Sequence, residues 1–220
     1  MKSIYDFDPT FPNADFRVGF IGSHCVGKTT QVKKLGRLLR IPTITEGVRQ
    51  VVTAMGYANI GDVPDKVLMQ WKILQYQIRH EQEFERFISD RTTLDNAAYF
   101  HAYNQDVVST REYWAYMDAA RDHAKTYTHL IYFPLAWDNV EADGFRDTDP
   151  GERKRIDDIV RTLIDDWNVN RTVYTVTQDD LRDGPAARIH EILEHLNLWQ
   201  AARELGVLTP GTTPKEYQRG

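Results

Sequence analysis

The chain has 220 residues, a formal net charge of −5 and 41% hydrophobic residues. That length suits one α/β domain with a full core and is short for two. No block of like charge is long enough to serve as an arm for nucleic acid or anionic lipid, so a nucleic-acid partner is not expected. The first thirty residues lack a signal-peptide hydrophobic region, and no apolar run approaches the roughly 18 residues of a membrane span. Cys25 is the only cysteine, which precludes an intramolecular disulfide, and a soluble, cytoplasmic protein is expected.

Residues 1–16 carry Pro9, Pro12 and the rings of Tyr5, Phe7, Phe11 and Phe16, and read as an extended lead-in. Arg17 to Ile21 is short, apolar and interrupted by glycine, as a buried parallel strand would be. The next stretch, Gly22-Ser23-His24-Cys25-Val26-Gly27-Lys28-Thr29, fits the phosphate-binding pattern GxxxxGK[ST]. Its two glycines allow backbone angles that turn successive N–H groups toward an anion, and a helix starting at Lys28 adds its positive dipole end. Lys28 is placed to reach the β- and γ-phosphates of a nucleotide and the Thr29 hydroxyl to ligate Mg²⁺. Gly22 through Thr29, with Thr30 behind them, are therefore the candidate cofactor-binding residues.

Ile41 to Thr45 reads as a second strand with Pro42 near its start, where a missing N–H is tolerated. Glu46 to Tyr57 reads as a helix with Arg49 one turn after Glu46. A long helix is expected from Pro64 to about Phe87, because Val67, Trp71, Leu74 and Ile78 recur at helical spacing. Phe87 to Asp90 is a third strand that places Asp90 at its carboxyl end, where open parallel sheets bind ligands. Thr92, Thr93 and Asp95 can cap a helix reaching Asn104. Residues 109–126 form a further helix, whose Tyr113, Trp114, Tyr116 and Met117 are read as packing.

Thr128 to Leu135 is the fourth strand. The polar stretch between Ala136 and Pro150 reads as a loop or lid, and Pro150 opens an amphipathic helix with Ile156, Ile159, Val160, Leu163, Ile164 and Trp167 on one face. Arg153 and Arg155 lie in its first turns. Arg171 to Thr177 is the fifth strand, one or two helices follow from Pro185 to about Leu205, and the residues after Gly206 read as a loose tail. The histidines lack the spacing of a zinc site, no Ser-His-Asp or Cys-His grouping stands out, and the Asn-Lys-x-Asp motif of guanine readers is absent.

Strands alternating with helices imply a mostly parallel, doubly wound sheet. Gly22 to Thr29, Glu46 with Arg49, Asp90-Arg91 after the third strand, and Asp143-Gly144-Phe145-Arg146 before a charged helix together resemble the small P-loop nucleoside and nucleotide kinases. They resemble in particular the AAA-type, ribosylnicotinamide-kinase-like group, related to thymidylate and deoxynucleoside kinases. The likeness spans about residues 17–195. It implies a three-layer α/β fold with five parallel strands in the order 2-3-1-4-5, a kinase domain over 17–205 with a lid at about 136–155, and a tail from 206 to 220.

The resemblance further implies ATP and Mg²⁺ as cofactors and transfer of the γ-phosphoryl group to a nucleoside or nucleoside monophosphate. Lys28, Asp90, Glu46 and Arg146 are then the candidate catalytic residues, and Thr29 and Asp90 the candidate metal ligands. Glu46, Arg49, Arg91, Asp143 and Arg153 are the candidate acceptor-side residues, with Tyr57, Trp71 and Tyr99 open as either base-stacking or core rings. A homodimer is compatible with this family. A modified base or hydroxyl in DNA as acceptor, and a nucleotide-dependent ATPase or switch module, stand as alternatives.

Overall fold

The computed structural model of the protein describes residues 16–23, 26–45, 47–135, 149–169, 173–177, 184–196 and 198, with side chains from 188 onward in the last segment. At its centre lie β1 (Arg17–Ile21), β2 (Thr43–Ile44), β3 (Phe87–Asp90), β4 (His129–Tyr132) and β5 (Val173–Thr175). They form one parallel sheet in the order β2-β3-β1-β4-β5, as expected. Seven helices are described: α1 (Lys28–Leu39), α2 (Val48–Ala54), α3 (Lys66–Gln82), α4 (Thr93–Asn104), α5 (Thr110–Ala124), α6 (Pro150–Asp166) and α7 (Gly184–His195), with a 3₁₀ turn at Ile60–Asp62.

Successive strand side chains point to opposite faces, and the buried residues sort accordingly. Val18, Phe20, Ile88, Ile131 and Phe133 meet Val32, Leu35 and Leu39 of α1 and Ile189, Ile192 and Leu193 of α7. Ile21, Phe87, Leu130 and Tyr132 face the other way, against residues of α3, α4, α5 and α6. Each fully buried Leu, Ile or Phe contributes about 1.5–3 kcal/mol relative to exposure, so both faces are needed to hold the sheet. The same alternation fixes the site, because Ser89 points to the α3 face while Asp90 points to α1.

Several boundaries differ from the sequence expectation for local reasons. Asp65 is the N-cap of α3 and accepts the Leu68 N–H at 2.8 Å, so the helix starts at Lys66 and Pro64 precedes it. It ends at Gln82 rather than near Phe87, because residues 83–86 turn the chain so that Phe87 can pair with Arg17. β2 shortens to two residues, although the Pro42 carbonyl still accepts the Ile88 N–H at 3.0 Å. β4 and β5 are likewise shorter than expected, and α2 runs only from Val48 to Ala54. Among the aromatics of α5, Tyr116 and Met117 are buried, whereas Trp114 is 55% exposed. The lead-in before residue 16, the lid stretch 136–148, and everything from 199 on, including the tail, lie outside the described residues. No described helix is long and apolar enough to cross a membrane.

Candidate active site

The phosphate loop links β1 to α1. Gly22 has φ 141° and Gly27 φ 92°, the left-handed region that side chains rarely adopt. A Cβ at Gly22 would strike the Phe133 carbonyl oxygen, and one at Gly27 would come within 2.9 Å of Arg188 Nη1 on α7. Glycine is therefore required twice, once for the turn and once beside a cation. Lys28 is buried, and its ammonium donates to the carbonyls of Gly22 at 2.7 Å and Ser23 at 2.5 Å. The Thr29 hydroxyl donates to Asp90 Oδ2 at 2.6 Å, which joins the start of α1 to the tip of β3. The two candidate metal ligands are thus side by side, and a hydroxyl beside a carboxylate is a donor set that suits Mg²⁺. Thr30 is exposed in the first turn of α1.

Immediately after Asp90 the chain is strained. Arg91 is buried with φ 96°, a conformation that costs a non-glycine residue about 1–3 kcal/mol and that persists where the surroundings dictate it. Its N–H donates to the Phe20 carbonyl at 3.1 Å. Its guanidinium lies 5.1 Å over the Tyr99 ring and 3.6 Å from Asp95 Oδ1. Burial opposes the charge of Arg91, but Tyr99, Asp95 and Asp90 around it more than offset that and raise its pKa.

Asp95, 1% exposed, gathers this region. Its Oδ2 accepts the Thr92 N–H and hydroxyl, each at 2.8 Å, forming a capping box at the start of α4, while Oδ1 accepts the Gly22 N–H at 3.0 Å. Thr93 is not a cap; its hydroxyl donates to the Ala120 carbonyl at 2.8 Å and ties α4 to α5.

A second buried carboxylate supports the turn from below. Glu81 of α3 is fully buried and accepts from Gln77 Nε2 at 2.5 Å, Ser89 Oγ at 2.9 Å and the Tyr127 hydroxyl at 2.9 Å, and pairs with His123 Nε2 at 2.6 Å. Gln77 also reaches the Arg91 carbonyl at 3.4 Å, and the Tyr127 oxygen accepts the Thr93 N–H at 3.2 Å. Burial, and then the Glu81 carboxylate, push the Tyr127 hydroxyl well above the usual phenol range, so it remains a donor. The one trace of this cluster in the sequence is Gln77 and Glu81 standing at core spacing on the buried stripe of α3.

A loop of this kind between the central strand and its helix, in a sheet of order 2-3-1-4-5, matches the AAA domain family over residues 17–196. The chain belongs to this family. Solved structures with the same fold are distant in sequence, and no curated protein matches. Deoxyadenosine kinase from M. mycoides superposes with a TM-score of 0.61 at 15% identity, covering 82% of this chain and 98% of that one. NadR in complex with NR gives 0.67 at 16%, covering 88% of this chain and 57% of NadR, so this chain spans little more than half of that protein. Shikimate kinase from Aquifex aeolicus gives 0.52 at 18%, over 83% and 96%. The chain thus shares its fold with these P-loop kinases.

Other family-implied positions are less uniform. Arg49 is exposed on the first turn of α2. Arg153 is 1% exposed on α6, so its stem is part of the α6 packing face. Arg155 donates to the Ala102 carbonyl at 2.6 Å and lies 3.6 Å from Glu152, which ties α6 to the end of α4. His24, Cys25, Glu46, Asp143 and Arg146 lie outside the described residues. Of the candidate stacking rings, Trp71 packs edge-on to Tyr116 at 4.9 Å, Tyr57 joins the small Val51–Val52–Ile73 cluster, and Tyr99 carries Arg91.

Sequence reading missed two further groups. Asp157 of α6 accepts from the Tyr132 hydroxyl at 2.8 Å and the Leu135 N–H at 3.3 Å, and pairs with Arg161 at 3.0 Å, fastening α6 to the end of β4. Beside it, Tyr132, Arg161, Thr175 and Thr177 line a cavity of about 480 Å³. His190, Glu191 and Glu194 of α7 bring ligand-type atoms within 4.8 Å of one another, a spacing hidden by searching histidines alone.

Proposed function

We propose that the protein is an ATP- and Mg²⁺-dependent kinase that transfers the γ-phosphoryl group to a small nucleoside or nucleoside monophosphate. The observation that carries this reading is the junction at the tip of β3, where Asp90 meets Thr29 on one side and leads directly into buried Arg91 on the other. A donor-side pair and an acceptor-side cation on consecutive residues suit an in-line transfer, which requires positioning and positive charge more than covalent help.

In this reading the loop amides from Gly22 to Gly27 and the N-terminus of α1 hold the β- and γ-phosphates. Lys28 exchanges two neutral carbonyl partners for charged phosphate oxygens, a stronger hydrogen bond. Arg188, against Gly27, adds charge on the same side. Thr29 and Asp90 hold Mg²⁺, which when bound neutralises charge on the phosphates. Arg91 orients the acceptor, its planar fork suiting either a phosphate or a hydroxyl. Arg146 closes from the lid onto the transferring group, with Arg153 at the root of that arm; Glu46, with Arg49 and Asp143, completes the acceptor side and takes the proton when the acceptor is a hydroxyl. The chain works as a soluble cytoplasmic enzyme, within a kinase domain of 17–205.

The test is acceptor-dependent ADP release. A panel of nucleosides, deoxynucleoside monophosphates, nicotinamide riboside and single-stranded DNA is expected to contain a small molecule that raises ADP formation well above basal hydrolysis. Stimulation by DNA alone, or by nothing, refutes the small-molecule reading.

A further inference from the structure

We propose that Asp95 is a positioning residue that couples the phosphate loop to Arg91, so that nucleotide in the loop resets the acceptor-side arginine. Arg91's acceptor role rests on the kinase reading; the coupling itself does not. A single oxygen, Oδ1, accepts the Gly22 N–H at 3.0 Å and stands 3.6 Å from Arg91 Nη1. The other oxygen is fixed by the Thr92 N–H and hydroxyl, so the carboxylate can pivot but cannot leave.

The two contacts on Oδ1 are unequal. The Gly22 bond is formed, whereas 3.6 Å to Arg91 exceeds hydrogen-bond length and leaves room to shorten. When the loop draws in around phosphate and the Gly22 amide shifts, Oδ1 is released toward Arg91 and their contact closes. Asp95 is 1% exposed and Arg91 5%, so the exchange takes place away from water, where a change of one hydrogen bond is felt most strongly. The Arg91 backbone, held at φ 96° between the Phe20 carbonyl and Gln77, is a fixed pivot, so the guanidinium rather than the chain responds. The device needs no distant relay, since both half-sites touch one carboxylate.

Side-chain NMR of the full chain tests this without knowledge of the acceptor. The Arg91 Nε–Hε resonance is assigned with Arg91→Lys and followed during titration with Mg·AMP-PNP, using the Gly27 amide as the report of loop occupancy. In the wild type the Arg91 signal should move with the same saturation curve as Gly27. In Asp95→Asn, Gly27 should still respond while the Arg91 shift collapses. An Arg91 signal that ignores nucleotide in the wild type, or that moves equally in the variant, overturns the coupling. If Asp95→Asn does not fold, Thr92→Ala is read the same way: the Arg91 shift must shrink, and an undiminished shift overturns the proposal. Once an acceptor is known, reciprocity requires nucleotide and acceptor to tighten each other by the same factor, about 5–150-fold in typical coupled sites, and Asp95→Asn should bring that factor toward one. A failed acceptor panel beside an intact Arg91 shift would remove the kinase reading and leave the coupling standing.

Discussion

The two sides of the β3 tip are built in opposite ways. On the proposed donor side the phosphate loop makes its site largely from backbone, with Lys28 bonded to the loop's own carbonyls and with Thr29–Asp90 and Gly22–Asp95 tying it to β3 and α4. On the proposed acceptor side Arg91 meets Asp95 from α4 and Gln77 from α3, and Gln77 is backed by Glu81 and by Ser89, Tyr127 and His123 from three further places in the chain. A site built largely from backbone should tolerate change except at its glycines, its lysine and Thr29. A site held by a buried polar network is as stable as the least satisfied member of that network. Chemistry and folding should therefore separate on the donor side and be inseparable on the acceptor side.

Substitutions can break that contrast. The largest effect is expected from Lys28→Ala, which should lower phosphoryl transfer by about a thousandfold or more, by analogy with other charges on the transferring group. Its urea midpoint should stay close to wild type; a large loss of stability would show that the donor side is structural as well. Next comes Glu81→Ala, which leaves four buried donors facing a void and should cost about 3 kcal/mol in urea unfolding before any kinetic assay is run. If Glu81→Ala is as stable as the wild type, the network does not hold the turn. Tyr127→Phe is finer: it removes one donor to Glu81 and the acceptor of the Thr93 N–H, and should cost about 1–2 kcal/mol. It should also raise the acceptor KM with the ATP KM unchanged; parallel changes in both would blur the two sides into one.

The smallest effect lies at the far end of the sheet and serves as a control. His129 and His195, with ring centroids 6.2 Å apart, both have their pKa lowered from the ordinary 6.5, chiefly by burial and, for His129, also by its neighbour. Below that value the unfolded chain binds protons that the folded chain refuses, so stability should fall as pH drops from 7.5 to 5.5. His195→Gln should reduce that fall in urea titrations at the two pH values. An unchanged pH dependence would mean that the titrating group lies elsewhere, with His101, whose pKa burial also lowers, as the first place to look.

How much of this was legible follows the same division. The phosphate loop and the strand–helix alternation were readable because each is local: a motif of fixed spacing, or a period within one element. Asp90 was placed correctly since a strand's carboxyl end is itself a local feature. Asp95 was visible only as a helix cap, because nothing in its neighbourhood says that Gly22, more than seventy residues away, donates to it. Glu81, Ser89, His123 and Tyr127 come from separate elements and meet only through tertiary packing, so no spacing could join them. Arg155 was legible only as a cation in the first turns of a charged helix; that the Ala102 carbonyl holds it against α4 is again a tertiary fact.

The most direct test of the central claim is the fate of the γ-phosphoryl group. With [γ-³²P]ATP, Mg²⁺ and the nucleoside and nucleotide panel, label is expected in the small-molecule acceptor and not above background in the Lys28→Ala control. Label that accumulates only as inorganic phosphate, whatever acceptor is supplied, would contradict the kinase account and leave a nucleotide-hydrolysing module in its place.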